Sequence, residues 1–334
     1  MALTRRKFRV SLPLGPAISR LKPDIRMTVS VKQPLAIAPS VWAMLLFLSL
    51  LWGASFFFAR IAVKETPPLM LVLLRVSIAA AALHLYLMAS GNWGKFREQR
   101  FVPFFLLGIL NNAIPFSLLF IGQTKLGAGL AAILNALVPF WTVIAANYLT
   151  RDEKFTAGKI AGILLGISGA ALIIGPSAWA GAGAPLWAKL AVIGAGISYA
   201  FASIYAKKFK SVPPVVTATG QLSASAIIML PAALLAHGFW PPLSLTPPTW
   251  LAILALAIAS TALAYIVFFR ILAAAGATIV SLVTLLVPVS AIMLGTVFLG
   301  EDLSLAEVSG MALIGFGLVI IDGRFMAAGR RKLH

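Results

Sequence analysis

Residues 127–149 read GAGLAAILNALVPFWTVIAANYL, an apolar run without a single charged side chain. A helix rises about 1.5 Å per residue and a bilayer's hydrocarbon core is about 30 Å thick, so a run of this length crosses a membrane once. A strand of a membrane barrel would alternate apolar and polar residues over about ten positions, and this run is continuous. Working outward, nine runs of the same kind lie at roughly 41–63, 69–89, 101–121, 156–175, 186–206, 215–236, 249–269, 276–299 and 304–322. Turn formers and charges punctuate them, among them Pro67-Pro68, Gly91-Asn92, Arg151 to Lys154, Pro213-Pro214, Pro241-Pro242, Pro247-Pro248 and Glu301-Asp302. The expected fold is an all-α polytopic membrane protein with ten transmembrane helices, flanked by basic cytosolic tails at 1–40 and 323–334.

Composition points the same way. Of 334 residues, 60% are hydrophobic and 11% charged, against about 45–50% and about 25% in soluble domains. A soluble fold so composed lacks the polar residues to cover its own surface, which excludes an ordinary soluble enzyme. The absence of cysteine removes disulfides, thiolate metal sites and cysteine nucleophiles together. A net charge of +18 would suggest nucleic acid in a soluble protein, but its placement argues otherwise. With the N-terminus cytoplasmic, 22 of the 27 Lys and Arg fall in inner segments, while Arg60, Lys64, Lys125 and Lys189 fall outside. That is the asymmetry of a cytoplasmic face, so the expected partner is the bilayer of the inner cell membrane, with both termini inside. Thr4-Arg5-Arg6-Lys7-Phe8 looks like a twin-arginine signal, yet no apolar run begins before Val41. The stretch 1–40 is therefore expected to be a tail, with Met27 an alternative start.

The opening run has a counterpart. Leu137-Val138-Pro139 matches Leu286-Val287-Pro288, and Gly127-Ala128 matches Gly276-Ala277, both at an offset of 149. Glu153, Gly162, Gly169 and Gly175 match Glu301, Gly310, Gly317 and Gly323 at 148. Pro67-Pro68 matches Pro213-Pro214 at 146, which sets Arg75 opposite Gln221. Repeats of five spans at 41–175 and 186–322 have an odd number each, so the second enters the membrane inverted. Inverted repeats are a signature of secondary transporters, with the substrate near mid-depth between the repeats.

Leu51-Trp52-Gly53-Ala54-Ser55-Phe56, Arg75, Pro139 followed by Glu153, and the Gly158-x3-Gly162-x3-Gly166 spacing together resemble EamA-type repeats of the drug/metabolite transporter superfamily. The resemblance covers roughly 41–322. It implies ten helices in two repeats and a small-solute carrier, often an exporter. The second repeat departs from the pattern: Ser198-Tyr199-Ala200-Phe201 stands where Trp52-Gly53 would be, and Gln221 replaces Arg75. Unequal halves carry no family substrate across.

Arg75 falls about six residues into its span, roughly 9 Å below the outer end. A guanidinium at that depth snorkels, caps a neighbour's carbonyls, or serves a pathway. On a pathway, its planar fork suits a carboxylate or phosphate. Pro139 and Pro288 lie near mid-depth, where the missing N–H frees a carbonyl that protein or water must satisfy. Asn111, Asn112, Asn135, Gln221, Tyr265 and Thr284 bring polar groups to the same depth, and Trp52, Trp141 and Tyr199 bring aromatic surface. Interhelical hydrogen bonding is the plain use of such residues one by one. As a set they suit a small amphipathic solute such as an amino acid. The glycines of the fifth and tenth spans read as close-packing faces, with a homodimer contact as their second use. No cofactor is expected, because the Gly-x4-Gly-Lys-Ser/Thr and His-Glu-x-x-His patterns are both absent. The competing readings are an intramembrane enzyme, an assembly scaffold, or a lipid-linked-sugar flippase. His84, toward the inner end of the second span, reads as packed rather than as a proton relay.

Overall fold

The computed structural model describes residues 38–150, 154–180, 184–238, 245–275 and 283–322. Among them, eight helices are long and apolar enough to cross a membrane. They are α1 Pro39–Ala62, α2 Pro68–Ala89, α3 Val102–Gln123, α4 Ala128–Leu149, α5 Ala157–Ala180, α6 Leu186–Phe209, α7 Pro214–His237 and α8 Pro247–Leu272. Two shorter apolar helices follow, α9 Val283–Leu299 and α10 Leu305–Asp322. The start of the expected ninth span, 276–282, lies outside the described residues, as do 1–37, Glu153 and 323–334.

Local chemistry sets the ends. Prolines occupy the first turns of α2, α7 and α8, where the missing N–H has no helical partner to lose. Ser304 and Glu307 form a capping box on α10, with Ser304 N donating to Glu307 Oε2 at 2.8 Å and Glu307 N donating to Ser304 Oγ at 3.3 Å. Gly238 and Gly300 close α7 and α9 at φ values of +64° and +63°, where any Cβ would be strained.

The helices pair in a pattern that repeats. α1 packs on α8 and α9, and α6 packs on α3 and α4. α2 packs on α8, and α7 packs on α3. Exchanging each helix for the one five positions away maps these contacts onto one another and leaves α2–α7 and α5–α10 paired with themselves. The α5–α10 crossing is backbone on backbone. A Cβ on Gly162 would lie 2.6 Å from the Gly317 carbonyl oxygen, and one on Gly317 would lie 2.6 Å from that of Gly162. Gly169 and Gly310 meet in the same reciprocal way, at 2.6 and 2.7 Å. The small-residue faces of α5 and α10, expected as close-packing faces, therefore meet each other within the chain, because only glycine lets two helices approach so closely.

Three helices depart from regular α geometry in their interiors, and α6 ends in a 3-10 turn at Lys207–Phe209. α3 is π-helical over Ile109–Ala113, and α8 over Ala255–Leu263. α4 breaks at Ala136 and Leu137 between Ala128–Asn135 and Val138–Leu149, since Pro139 has no N–H for the Asn135 carbonyl. α9 runs on through Pro288.

Candidate functional site

Eight helices, every one except α5 and α10, wall a cavity of about 820 Å³, a size typical of small-molecule sites. Its surface is mostly apolar. Exposed Lys210 and Pro214, between α6 and α7, form part of its rim. Buried Phe56, Phe120 and Gln123 line its other end.

Arg75 is 6% exposed and lines this cavity. Its Nε donates to Thr261 Oγ1 at 3.0 Å, and its guanidinium carbon stands 3.7 Å from the Phe116 ring centroid. Such a ring is worth about 2 kcal/mol to a desolvated cation. Thr261 Oγ1 in turn donates to the Leu256 carbonyl at 2.8 Å. The π-helical turn of α8 thus exposes a carbonyl that a threonine satisfies, and the same threonine orients the arginine. Among the described residues, neither terminal nitrogen of Arg75 donates to a protein acceptor, and no carboxylate pairs with it.

The equivalent position in the second repeat behaves differently. Gln221 Oε1 accepts from Asn111 Nδ2 at 2.9 Å, and Gln221 Nε2 donates to Tyr265 OH at 3.3 Å. Asn111 sits in the π-helical turn of α3, as Thr261 sits in that of α8. Each second helix of a repeat therefore bonds the bulged third helix of the other repeat. One pair carries a charge and the other is neutral.

Ten of the twelve candidates read from the sequence line this cavity: Trp52, Arg75, Asn111, Asn135, Pro139, Tyr199, Gln221, Tyr265, Thr284 and Pro288. Asn135 and Thr284 are each four residues ahead of their proline and share its face. Trp52 meets Phe268 with ring centroids 5.6 Å apart. Asn112 and Trp141 stand elsewhere. Asn112 is fully buried and donates to Ser225 Oγ at 3.1 Å, tying α3 to α7. One helical residue turns about 100°, so Asn111 and Asn112 cannot face the same space. Trp141 is two residues beyond Pro139 and points about 200° away from it, into a separate apolar pocket with Phe140, Ile167 and Leu190. Phe116, Phe120, Gln123 and Thr217 line the cavity without having been singled out. His84 is packed, with Nε2 2.9 Å from Ser223 Oγ and its ring in T-shaped contact with both Trp93 and Phe96, which stack on each other.

The end opposite the rim is tied by side chains to backbone. Gln123 Nε2 donates to the Phe56 carbonyl at 2.7 Å, and Arg60 Nη1 donates to that of Gln123 at 2.7 Å. Glu301 accepts from Ala128 N at 2.8 Å and Gly129 N at 3.1 Å, capping α4 from the connection between α9 and α10. Glu65 accepts from Thr246 N at 3.0 Å and Thr246 Oγ1 at 2.8 Å. These bonds, the backbone one foremost, hold the Glu65 carboxyl below the usual carboxylate range.

A bundle of apolar helices around a mostly apolar cavity that holds a few polar side chains at depth is the architecture of a membrane transporter. The sequence profile of the EamA-like transporter family matches residues 40–175 and again 186–322, and the chain belongs to that family. Relatives include the uncharacterized transporter YvbV of Bacillus subtilis, 28% identical over 85% of this chain and 92% of that protein. The uncharacterized inner membrane transporter YedA of Escherichia coli K12 is 28% identical over 84% of this chain and 90% of its own. Protein PecM of Dickeya dadantii is 27% identical over 84% and 92%. A solved structure titled only "Crystal structure of protein" superposes with a TM-score of 0.61 at 23% identity, covering 84% of this chain and 97% of that one. That likeness concerns the fold alone.

Proposed function

We propose that the chain is a secondary carrier moving a small metabolite, an amino acid or a related amphipathic solute, across the inner membrane by alternating access. Ten spans form two inverted repeats with both termini cytoplasmic, and one repeat rocks against the other around the cavity. The observation that carries this reading is the cavity itself. Both repeats contribute to its wall, its polar groups lie at mid-depth, and its two ends differ in closure. The exchange pattern of the helix contacts supports inverted repeats, and the name of the YedA relative supports the inner membrane. With the basic loops inside, the Lys210 rim faces the cytoplasm, and the ties made by Arg60, Glu65 and Glu301 close the outer end.

The test compares the medium metabolome of cells overproducing the chain with that of cells overproducing Arg75→Ala or Pro139→Ala at equal membrane abundance. At least one solute changes with the wild type. Pro139→Ala restores an N–H for the Asn135 carbonyl and straightens α4, so the change shrinks severalfold. No solute responding to the wild type overturns the carrier reading in favour of a scaffold.

A further inference from the structure

The carrier reading admits zwitterions such as amino acids as well as anions, and the cavity wall narrows that choice. The described lining contains two cationic side chains, Arg75 at depth and Lys210 at the rim, and no aspartate or glutamate. The acids nearest the closed end are committed elsewhere, Glu65 to Thr246 and Glu301 to the start of α4. Arg75 is more than nine-tenths buried, is covered on one face by Phe116, and spends only Nε on the protein. Its terminal nitrogens present a planar fork to the cavity, the shape that binds a carboxylate through two parallel hydrogen bonds.

An ammonium group finds no carboxylate to pair with among the described lining residues. Asn135 Oδ1 and Ser260 Oγ lack a hydrogen-bond partner, but each atom is buried, with almost no accessible surface of its own. Gln221, the repeat equivalent of Arg75, has both ends of its amide engaged by Asn111 and Tyr265. A cation entering this space meets the field of Arg75 with no carboxylate to offset it, and low-dielectric walls strengthen that repulsion. The rest of the wall is mostly aromatic and apolar, with Trp52 against Phe268 and Phe269 stacked on Tyr265.

Resting on the carrier reading, we propose that the transported solute is an organic anion, with a carboxylate or similar oxyanion on the Arg75 fork and an apolar body against the aromatic wall. Zwitterions and amines are disfavoured. The test uses cells overproducing the full chain, Arg75→Gln, Arg75→Lys or Thr217→Asp at matched membrane abundance, with every solute that changes in the medium sorted by net charge at pH 7. The wild type changes anions. Arg75→Gln lowers that change at least tenfold, and Arg75→Lys keeps part of it. Thr217→Asp places an acid on the wall away from Arg75 and lowers it too, which serves if Arg75→Gln fails to reach the membrane. Zwitterions or cations dominating the change overturns the inference and leaves the carrier standing. So does anion movement untouched by Arg75→Gln, or by Thr217→Asp where that variant stands in. If no solute changes with the wild type, the carrier reading falls and the inference falls with it.

Discussion

At the residue scale, a side chain stands out in the sequence only when its placement costs something. Arg75 was legible because a guanidinium within an apolar run requires a reason. Its companions were not: Phe116 is one of 21 phenylalanines, and nothing in its neighbours marks it as the ring beneath the guanidinium. The split between Asn111 and Asn112 depends on one helical step, which hydropathy does not fix. Glu65 gives a prediction of its own. Its folded pKa is depressed, so the tie to Thr246 contributes stability above the unfolded value of about 4.3 and loses it as pH falls through the folded value. The unfolding midpoint of the detergent-solubilised protein should exceed that of Glu65→Gln at pH 7, and the gap should close on acidification below about pH 4. A gap that is constant across that range would show that the carboxylate is not what holds Thr246.

At the element scale, apolar run lengths located the helices to within a few residues, because hydrophobic thickness leaves little choice. The π-helical turns of α3 and α8 were invisible, since a run of apolar residues reads the same whether its bonds reach four residues back or five. The prolines were visible, but their outcomes were not. α4 breaks ahead of Pro139, whereas α9 continues through Pro288. The glycines of α5 and α10 were read correctly as packing faces, though only the structure identifies each face as the other's partner. Gly169→Val places a Cβ 2.6 Å from the Gly310 carbonyl oxygen. Backbone cannot give way as a side chain does, so the substitution should cost about 1–3 kcal/mol of stability. A thermal unfolding midpoint equal to that of the wild type would argue against this crossing.

At the scale of the whole molecule, the repeat was legible because its offset stayed between 146 and 149 from Pro67 to Gly175 of the first copy, longer than shared apolar composition sustains. Sidedness rests on the basic loops and can be read chemically, since the chain has no native cysteine. In intact cells a membrane-impermeant maleimide should label Lys125→Cys and spare Ser211→Cys until the membrane is opened. The reverse pattern would invert the proposed orientation. The helices also divide by task, because α5 and α10 contribute no described residue to the cavity. What the chain accommodates and what keeps it assembled are thus encoded at different positions. The lining can therefore be altered by substitution, as the difference between Arg75 and Gln221 illustrates, while the glycine crossing is left as it is. A scaffold divided this way admits a change of cargo without a change of fold.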